Sequence, residues 1–156
     1  MRLYFKLSKN KELIPFNYQP FLTGAIHKWI GENNEVHDAL SLYSFSWLQH
    51  VEVRKDGVNL TANSYFFISA YHETLIKQIL KGVLAAPSFC FGSSVADVQI
   101  AEAPRFSAQQ VFSAASPVFI KRRINENEKH ITHDDPASGA YLTETLQKKL
   151  GCASFV

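Results

Sequence analysis

The chain has 156 residues, enough for one domain or for one domain and part of another. Its hydrophobic content of 46% and aromatic content of 13% can build a substantial core, and no long low-complexity run occurs, which predicts a globular chain. The net charge of +2 is too small for a surface that attracts phosphate everywhere, so any nucleic-acid site must be a local patch. No apolar signal core and no run near 18 apolar residues occurs, which predicts a cytoplasmic protein without a membrane partner.

The first elements are a strand and a helix. Residues Arg2 to Leu7 alternate polar and apolar side chains, the period of a strand with one buried face. An amphipathic helix follows within the stretch Pro15 to His37 and is predicted to end at Gly31. Its apolar stripe consists of Tyr18, Leu22, Ala25, Ile26, Trp29 and Ile30. His27 lies nearly opposite this stripe, so we expect its imidazole to face outward.

The next elements complete a β-α-β-β-α-β order. An aromatic and β-branched run from Tyr43 to Arg54 ends at Asp56-Gly57, a strong hairpin signal. The remaining predicted elements are a return strand over Val58 to Leu60 and Tyr65 to Ala70, a helix over Glu73 to Leu84, and a strand over Phe89 to Phe91 and Val95 to Ala101. This order predicts an α+β protein with a ferredoxin-like domain over residues 1–104.

The order of a strand followed by a helix then begins a second time. After a linker of residues 105–115, a strand is predicted over Ser116 to Ile124 and a helix over Ala137 to Leu150. Residues 116–156 are therefore interpreted as the first β-α of a second, apparently truncated ferredoxin-like domain, and the alternative is a tail docked on the first domain. An unfinished sheet has an unpaired edge, so pairing of two chains into a homodimer is a further hypothesis.

The metal-binding residue types show no convincing ligand spacing. Cys90 and Cys152 are far apart and lack a CxxC pattern, which favours two incidental thiols over a zinc site or a disulfide framework. His130 and His133 precede Asp134 and Asp135, but their spacing on an expected loop is weak evidence for a metal site. We therefore expect neither a metal nor another cofactor.

Five segments in order carry a family resemblance. They are PFNYQPFLTGAIHKWI, LYSFSWL, YFFISA, LKGVL and FSAASPVFIKRR. Together they resemble the N-terminal part of the CRISPR repeat-cleaving endoribonucleases, the Cas-six family of the RAMP superfamily. The resemblance implies two ferredoxin-like domains in tandem and cleavage of the repeat in precursor CRISPR RNA without a metal. In that reaction the 2′-hydroxyl attacks the adjacent phosphate, leaving a 2′,3′-cyclic phosphate and a 5′-hydroxyl.

The resemblance also indicates which residues act. The family's catalytic histidine corresponds best to His37, and His27 is the second candidate; a histidine suits both the base and the acid that the reaction needs. Ser41 stands where many relatives have a lysine, and the family's C-terminal glycine-rich loop has no counterpart.

Basic side chains provide candidate phosphate contacts. These are Lys28, beside His27, and the cluster Lys121, Arg122 and Arg123. Because alternate residues of a strand point to opposite sides, either Lys121 and Arg123 or Arg122 alone faces the RNA.

Two other functions stay open at this point. One is a protein that binds repeat RNA and delivers it to the subunits of a CRISPR effector complex without cutting it. The other is a ferredoxin-like regulatory or oligomerisation domain with no role in RNA binding.

Overall fold

The computed structural model describes residues 1–31, 43–102, 105, 107–109, 111, 113–116, 120–124 and 127–152. The chain divides into two compact units, Met1–Gln110 and Val111–Val156. This division falls within the predicted linker, and the assignment of residues 1–104 and 116–156 to two domains remains a prediction. None of the helices in the described ranges is long and apolar enough to cross a membrane.

The first unit is built around a four-stranded antiparallel sheet. Its elements are β1 (Arg2–Leu7), α1 (Gln19–Ile30), β2 (Tyr43–Phe45), β3 (Glu52–Arg54), β4 (Gly57–Asn59), β5 (Tyr65–Ala70), α2 (Glu73–Ala85) and β6 (Val95–Ala101). The strand order in the sheet is β2-β5-β1-β6, which leaves β1 and β5 in the centre. The predicted α+β class and ferredoxin-like fold are confirmed, since this is the strand order of the β-α-β-β-α-β motif once the β3-β4 ribbon is set aside.

The core lies between the sheet and the two helices. Alternate residues of the central strands point to this side and are buried, among them Phe5 on β1 and Phe66 on β5. The indole of Trp29, on α1, stacks on both rings at centroid distances of 5.7 and 6.2 Å. Its Nε1 donates a hydrogen bond of 2.9 Å to the carbonyl of Ala86, just after α2. The apolar stripe predicted for α1 therefore joins both helices to the sheet.

Two predicted strands differ from the structure. The run from Tyr43 to Arg54 forms two short strands, and β3 pairs with β4 in a separate ribbon. Between them His50 has a φ of 54°, which ends the extended conformation. The segment Phe89 to Phe91 is not a strand, because Phe91 and Gly92 have φ values of 52° and 70° and form a turn before β6.

The second unit contains β7 (Ile120–Ile124), β8 (Asn127–Ile131) and α3 (Ser138–Cys152). Strands β7 and β8 form an antiparallel hairpin. The sequence analysis predicts a single strand before this helix and misses β8. Four of the five residues of β8 are polar and exposed, and only Ile131 is buried, so the segment has no hydrophobic alternation that would reveal it.

Candidate functional site

His27 lies on the outer face of α1, as the helical periodicity predicts. Its side chain is exposed, whereas Ile26 and Trp29 on the same helix are buried. The hydroxyl of Tyr43, at the start of β2, lies 3.3 Å from Nε2 of His27. A phenol can donate to a neutral imidazole and accept from an imidazolium, so this contact can orient the ring in both protonation states.

Tyr43 is a site residue that the sequence analysis did not select. The aromatic alternation from Tyr43 to Trp47 predicts packing for most of these rings, and Tyr43 does pack partly against the core. Burial raises the pKa of its phenol above the ordinary value, so the hydroxyl stays protonated at neutral pH. No local sequence pattern predicts its contact with His27, because the fold brings the two residues together from different elements.

Lys28 follows His27 on the exposed side of α1. Its Nζ donates hydrogen bonds to the carbonyl oxygen and the hydroxyl of Ser88, at 2.7 and 3.0 Å. Both partners are neutral, so the contacts position the ammonium group without cancelling its charge. The ammonium group therefore keeps its positive charge at this exposed position, and its contact with phosphate stays a prediction.

His37, the first choice for catalysis in the sequence analysis, lies outside the described residues. The same is true of Ser41. The structure thus brings together His27 and Tyr43, whereas the side chain of Lys28 contacts Ser88, and the role of His37 stays a prediction.

The basic cluster of β7 is divided between two faces of the hairpin. Arg122 turns toward α3, where its guanidinium donates to the carbonyl of Tyr141 at 3.0 Å and pairs with the carboxylate of Glu144 at 3.0 Å. It also lies 4.9 Å from the ring centre of Tyr141. With only 22% of its side chain exposed, Arg122 fastens the hairpin to the helix and is poorly placed for phosphate.

Lys121 and Arg123 project from the opposite face of the hairpin, and both are exposed. Lys121 forms an ion pair of 2.7 Å with Glu128 on β8, and it stands opposite His130 in the strand register. Within the described part of the chain, Arg123 has no ion-pair partner. Of the two alternatives in the sequence analysis, the pair of Lys121 and Arg123 is the one with exposed side chains, and its binding of phosphate stays a prediction.

The residues considered for a metal site are not gathered. Across the described ranges, no group of three or more His, Cys, Asp and Glu side chains is arranged to hold a metal ion. His130 lies on β8, while His133 belongs to the turn that follows.

Comparison with known proteins finds similarity to Cas6-related proteins. No protein-family model matches the chain. The CRISPR-associated endoribonuclease Cas6 1 of Methanocaldococcus jannaschii is 24% identical over 162 aligned residues, which cover 96% of this chain and 64% of the relative. The chain thus spans about two thirds of the length of that protein.

Solved structures share the fold. A Cas6-related protein from Pyrococcus furiosus superposes with a TM-score of 0.81 at 21% identity, covering 97% of this chain and 71% of that one. A CRISPR-associated protein Cas6 gives 0.74 at 23% identity, with coverage of 96% and 70%. An RAMP protein described as binding different RNA substrates gives 0.80 at 20% identity, with coverage of 97% and 72%. The resemblance stated from the sequence is therefore confirmed.

Proposed function

We propose that this chain, as a relative of the Cas6 endoribonucleases in the RAMP superfamily, takes part in processing CRISPR repeat RNA by cutting the precursor transcript. The observation that supports this most strongly is the similarity to a curated endoribonuclease across 96% of the chain. The contact between His27 and Tyr43 supports it independently, because it supplies an exposed proton carrier and a hydroxyl that orients it.

The proposed reaction is an internal transesterification. A base removes the proton of the 2′-hydroxyl, the 2′-oxygen forms a bond to the adjacent phosphorus, and the bond to the 5′-oxygen breaks as that oxygen receives a proton. The products are a 2′,3′-cyclic phosphate and a 5′-hydroxyl, and no water or metal enters the balance. An imidazole can perform either proton transfer near neutral pH, which we assign to His37 and His27.

The cations have a separate role in this proposal. The phosphorane that forms during attack carries additional negative charge, and an ammonium group beside it stabilises that charge. Lys28 is proposed for this role because it follows His27 in the chain, and its Nζ would have to leave Ser88 to reach the phosphate. Lys121 and Arg123 are proposed to bind phosphates of the RNA backbone.

The test is incubation of the protein with its own locus's repeat RNA in excess EDTA. A matched RNA carries one 2′-deoxynucleotide at the cut position. Cleavage of the first RNA alone, with a cyclic phosphate at the new end, is the expected result. His37→Ala or His27→Ala should lower the single-turnover rate about 100-fold or more, the usual contribution of a general acid or base. The exposed His72 supplies the control, and His72→Ala should leave the rate unchanged.

Two results would refute cleavage by this chain. Binding of both RNAs without cutting would leave the alternative of a repeat-RNA-binding protein that delivers guide RNA to an effector complex. Absence of binding even at low salt, where phosphate contacts are strongest, would instead favour a regulatory or oligomerisation domain.

A further inference from the structure

The sheet of the first unit presents a row of aromatic side chains on the face opposite α1 and α2. Tyr4, on β1, stands directly across from Phe67 on β5, and the next row pairs Lys6 with Tyr65. On the other side of β1, Gln99 of β6 completes the row of Tyr4. These side chains belong to the two central strands and a neighbour, so rigid backbone holds them in register.

The rings form one continuous strip. The ring of Tyr4 lies 5.5 Å from that of Phe67 and 5.9 Å from that of Tyr65, both tilted. His50 extends the strip, because its imidazole meets Tyr65 edge-on at 5.4 Å. At the other end the guanidinium of Arg2 lies 4.1 Å from the centre of the Phe67 ring. The strip therefore combines ring faces with a cation held above one of them.

Part of the strip borders a shallow concavity of about 420 Å³. Its lining consists of Tyr4, Lys6, His50, Asn63, Tyr65 and Gln99. Both tyrosines are half-buried, while Lys6, His50 and Gln99 are exposed. The wall thus offers aromatic faces for stacking together with amide and ammonium groups for hydrogen bonding, a combination that suits a planar polar ligand better than an apolar peptide.

The backbone at the rim is held in an unusual conformation. His50 has a φ of 54°, which is uncommon for a residue other than glycine. Its carbonyl accepts hydrogen bonds from the hydroxyls of Thr61 at 3.0 Å and Ser64 at 2.9 Å, and these fix the turn that aims the imidazole at Tyr65. Backbone conformations of this kind persist where surrounding contacts enforce them, and they cluster at binding sites.

We propose that this aromatic strip binds unpaired nucleobases of single-stranded RNA. A base would stack on Tyr4 or Tyr65, its polar edge would meet Asn63 or Gln99, and Lys6 and Arg2 would attract the flanking phosphates. Exposed aromatic side chains on the central strands of a four-stranded sheet are a general solution for holding two or three unstacked bases. The proposal rests on the proposed function only in taking RNA as the substrate, because the strip and His27 lie on different surfaces of the unit.

The test is binding of short, unstructured, fluorescently labelled oligouridine and oligoadenosine to the full chain. Tyr4→Leu and Tyr65→Leu should each weaken binding roughly 5- to 150-fold, the range that base stacking on one aromatic side chain supplies. Tyr4→Phe and Tyr65→Phe keep the rings and should bind nearly as the unaltered protein does. Tyr71 is half-exposed outside the strip, and Tyr71→Leu provides the matched control.

Chemical protection gives a second measurement that does not depend on folding of the variants. Nitration by tetranitromethane should modify Tyr65 in the protein alone and be suppressed by saturating oligouridine, while Tyr71 reacts in both cases. Equal affinity of the leucine and phenylalanine variants would overturn the proposal. So would resistance of Tyr65 to nitration without RNA, since the face would then be covered by protein.

The two proposals fail in different ways. If Tyr65→Leu weakens binding while no preparation cuts repeat RNA, the strip is retained and the cleavage proposal is lost. If repeat RNA is cut but Tyr4→Leu and Tyr65→Leu do not change the affinity for oligonucleotides, the proposal for the strip is rejected and the proposal of cleavage stands.

Discussion

The hydroxyl of Tyr43 lies 3.3 Å from Nε2 of His27, so the first residue of an edge strand meets the outer face of a helix. The two residues are separated by sixteen positions, and the chain between residues 31 and 43 passes through His37. If both histidines serve one reaction, this contact fixes one of them against the sheet. We therefore infer that Tyr43 positions the imidazole of His27.

Replacement of Tyr43 by Phe tests that inference. The ring and its packing remain, but the hydrogen bond to His27 is lost. A neutral hydrogen bond contributes about 0.5–1.5 kcal/mol, so the single-turnover cleavage rate should fall roughly 2- to 10-fold. RNA affinity should not change, because the phenol is assigned no contact with RNA. Tyr71→Phe is the control, and an equal loss of rate in both variants would contradict the assignment.

The close approach of the two helices depends on a residue without a side chain. A Cβ added to Gly82, on α2, would lie 2.1 Å from the carbonyl oxygen and 2.6 Å from the Cα of Trp29. Backbone atoms cannot move aside as a flexible side chain does, so Gly82→Ala must separate α1 from α2. We expect a loss of about 1–3 kcal/mol or more in the free energy of unfolding, measured by urea denaturation.

Gly24 gives the matched control for that substitution. It also lies within a helix, α1, but an added Cβ would meet nothing within 4 Å. Because alanine has the higher helix propensity, Gly24→Ala should raise the free energy of unfolding by about 0.5–1 kcal/mol. Similar effects of the two substitutions would show that helix propensity, and not helix contact, governs both positions.

Elements with regular hydrophobic periodicity were predictable, and contacts between elements were not. The stripe of α1 gave the outward direction of His27, and alternation gave the buried faces of β1 and β5. By contrast β8 has one buried residue, and the strand break at His50 depends on hydroxyls of Thr61 and Ser64. Such tertiary hydrogen bonds leave no trace in local periodicity.

Local sequence patterns also do not show which partner a charged side chain has. The run Lys121-Arg122-Arg123 predicts one basic patch in the sequence. In the structure, however, Arg122 forms hydrogen bonds with α3. The alternation of a strand separates the three side chains correctly. It cannot say which face the helix covers, because that choice depends on where Tyr141 and Glu144 lie.

Substitution of Arg123 and substitution of Arg122 should therefore change different measured properties. If Arg123 binds an RNA phosphate, Arg123→Ala should reduce the slope of log affinity against log salt concentration by roughly 0.7, the value for one contact on a single strand. Lys77, exposed on α2 and paired with Glu73, supplies the control Lys77→Ala. An unchanged slope for Arg123→Ala would remove this residue from the RNA site.

Arg122→Met should act on the second unit itself. It removes the hydrogen bond to the carbonyl of Tyr141 and the ion pair with Glu144 while keeping an apolar stem against the ring. Backbone amides of α3 should then exchange hydrogen faster, because the helix loses its polar attachment to β7. Unchanged exchange in α3, with a reduced salt slope, would assign Arg122 to RNA and reverse the interpretation.

The thiol of Cys90 should react slowly near neutral pH. It is a free, half-buried cysteine, and burial raises its pKa to about 11. Because the thiolate is the reactive form, only about one thiol in a thousand would be ionised at pH 8. A low thiolate population is offset in part by higher nucleophilicity, so reaction with a disulfide reagent should be roughly 20-fold slower than for an ordinary cysteine.

A Cys152→Ser variant isolates this thiol for measurement. In the folded protein the rate should rise about tenfold for each pH unit between 7 and 10, since the thiolate fraction is far from saturation throughout. Unfolding in guanidinium should restore the ordinary rate, which separates the effect of burial from that of local sequence. A rate that levels off near pH 9 in the folded protein would mean that water reaches the sulfur, and that the turn from Phe89 to Gly92 does not shield it.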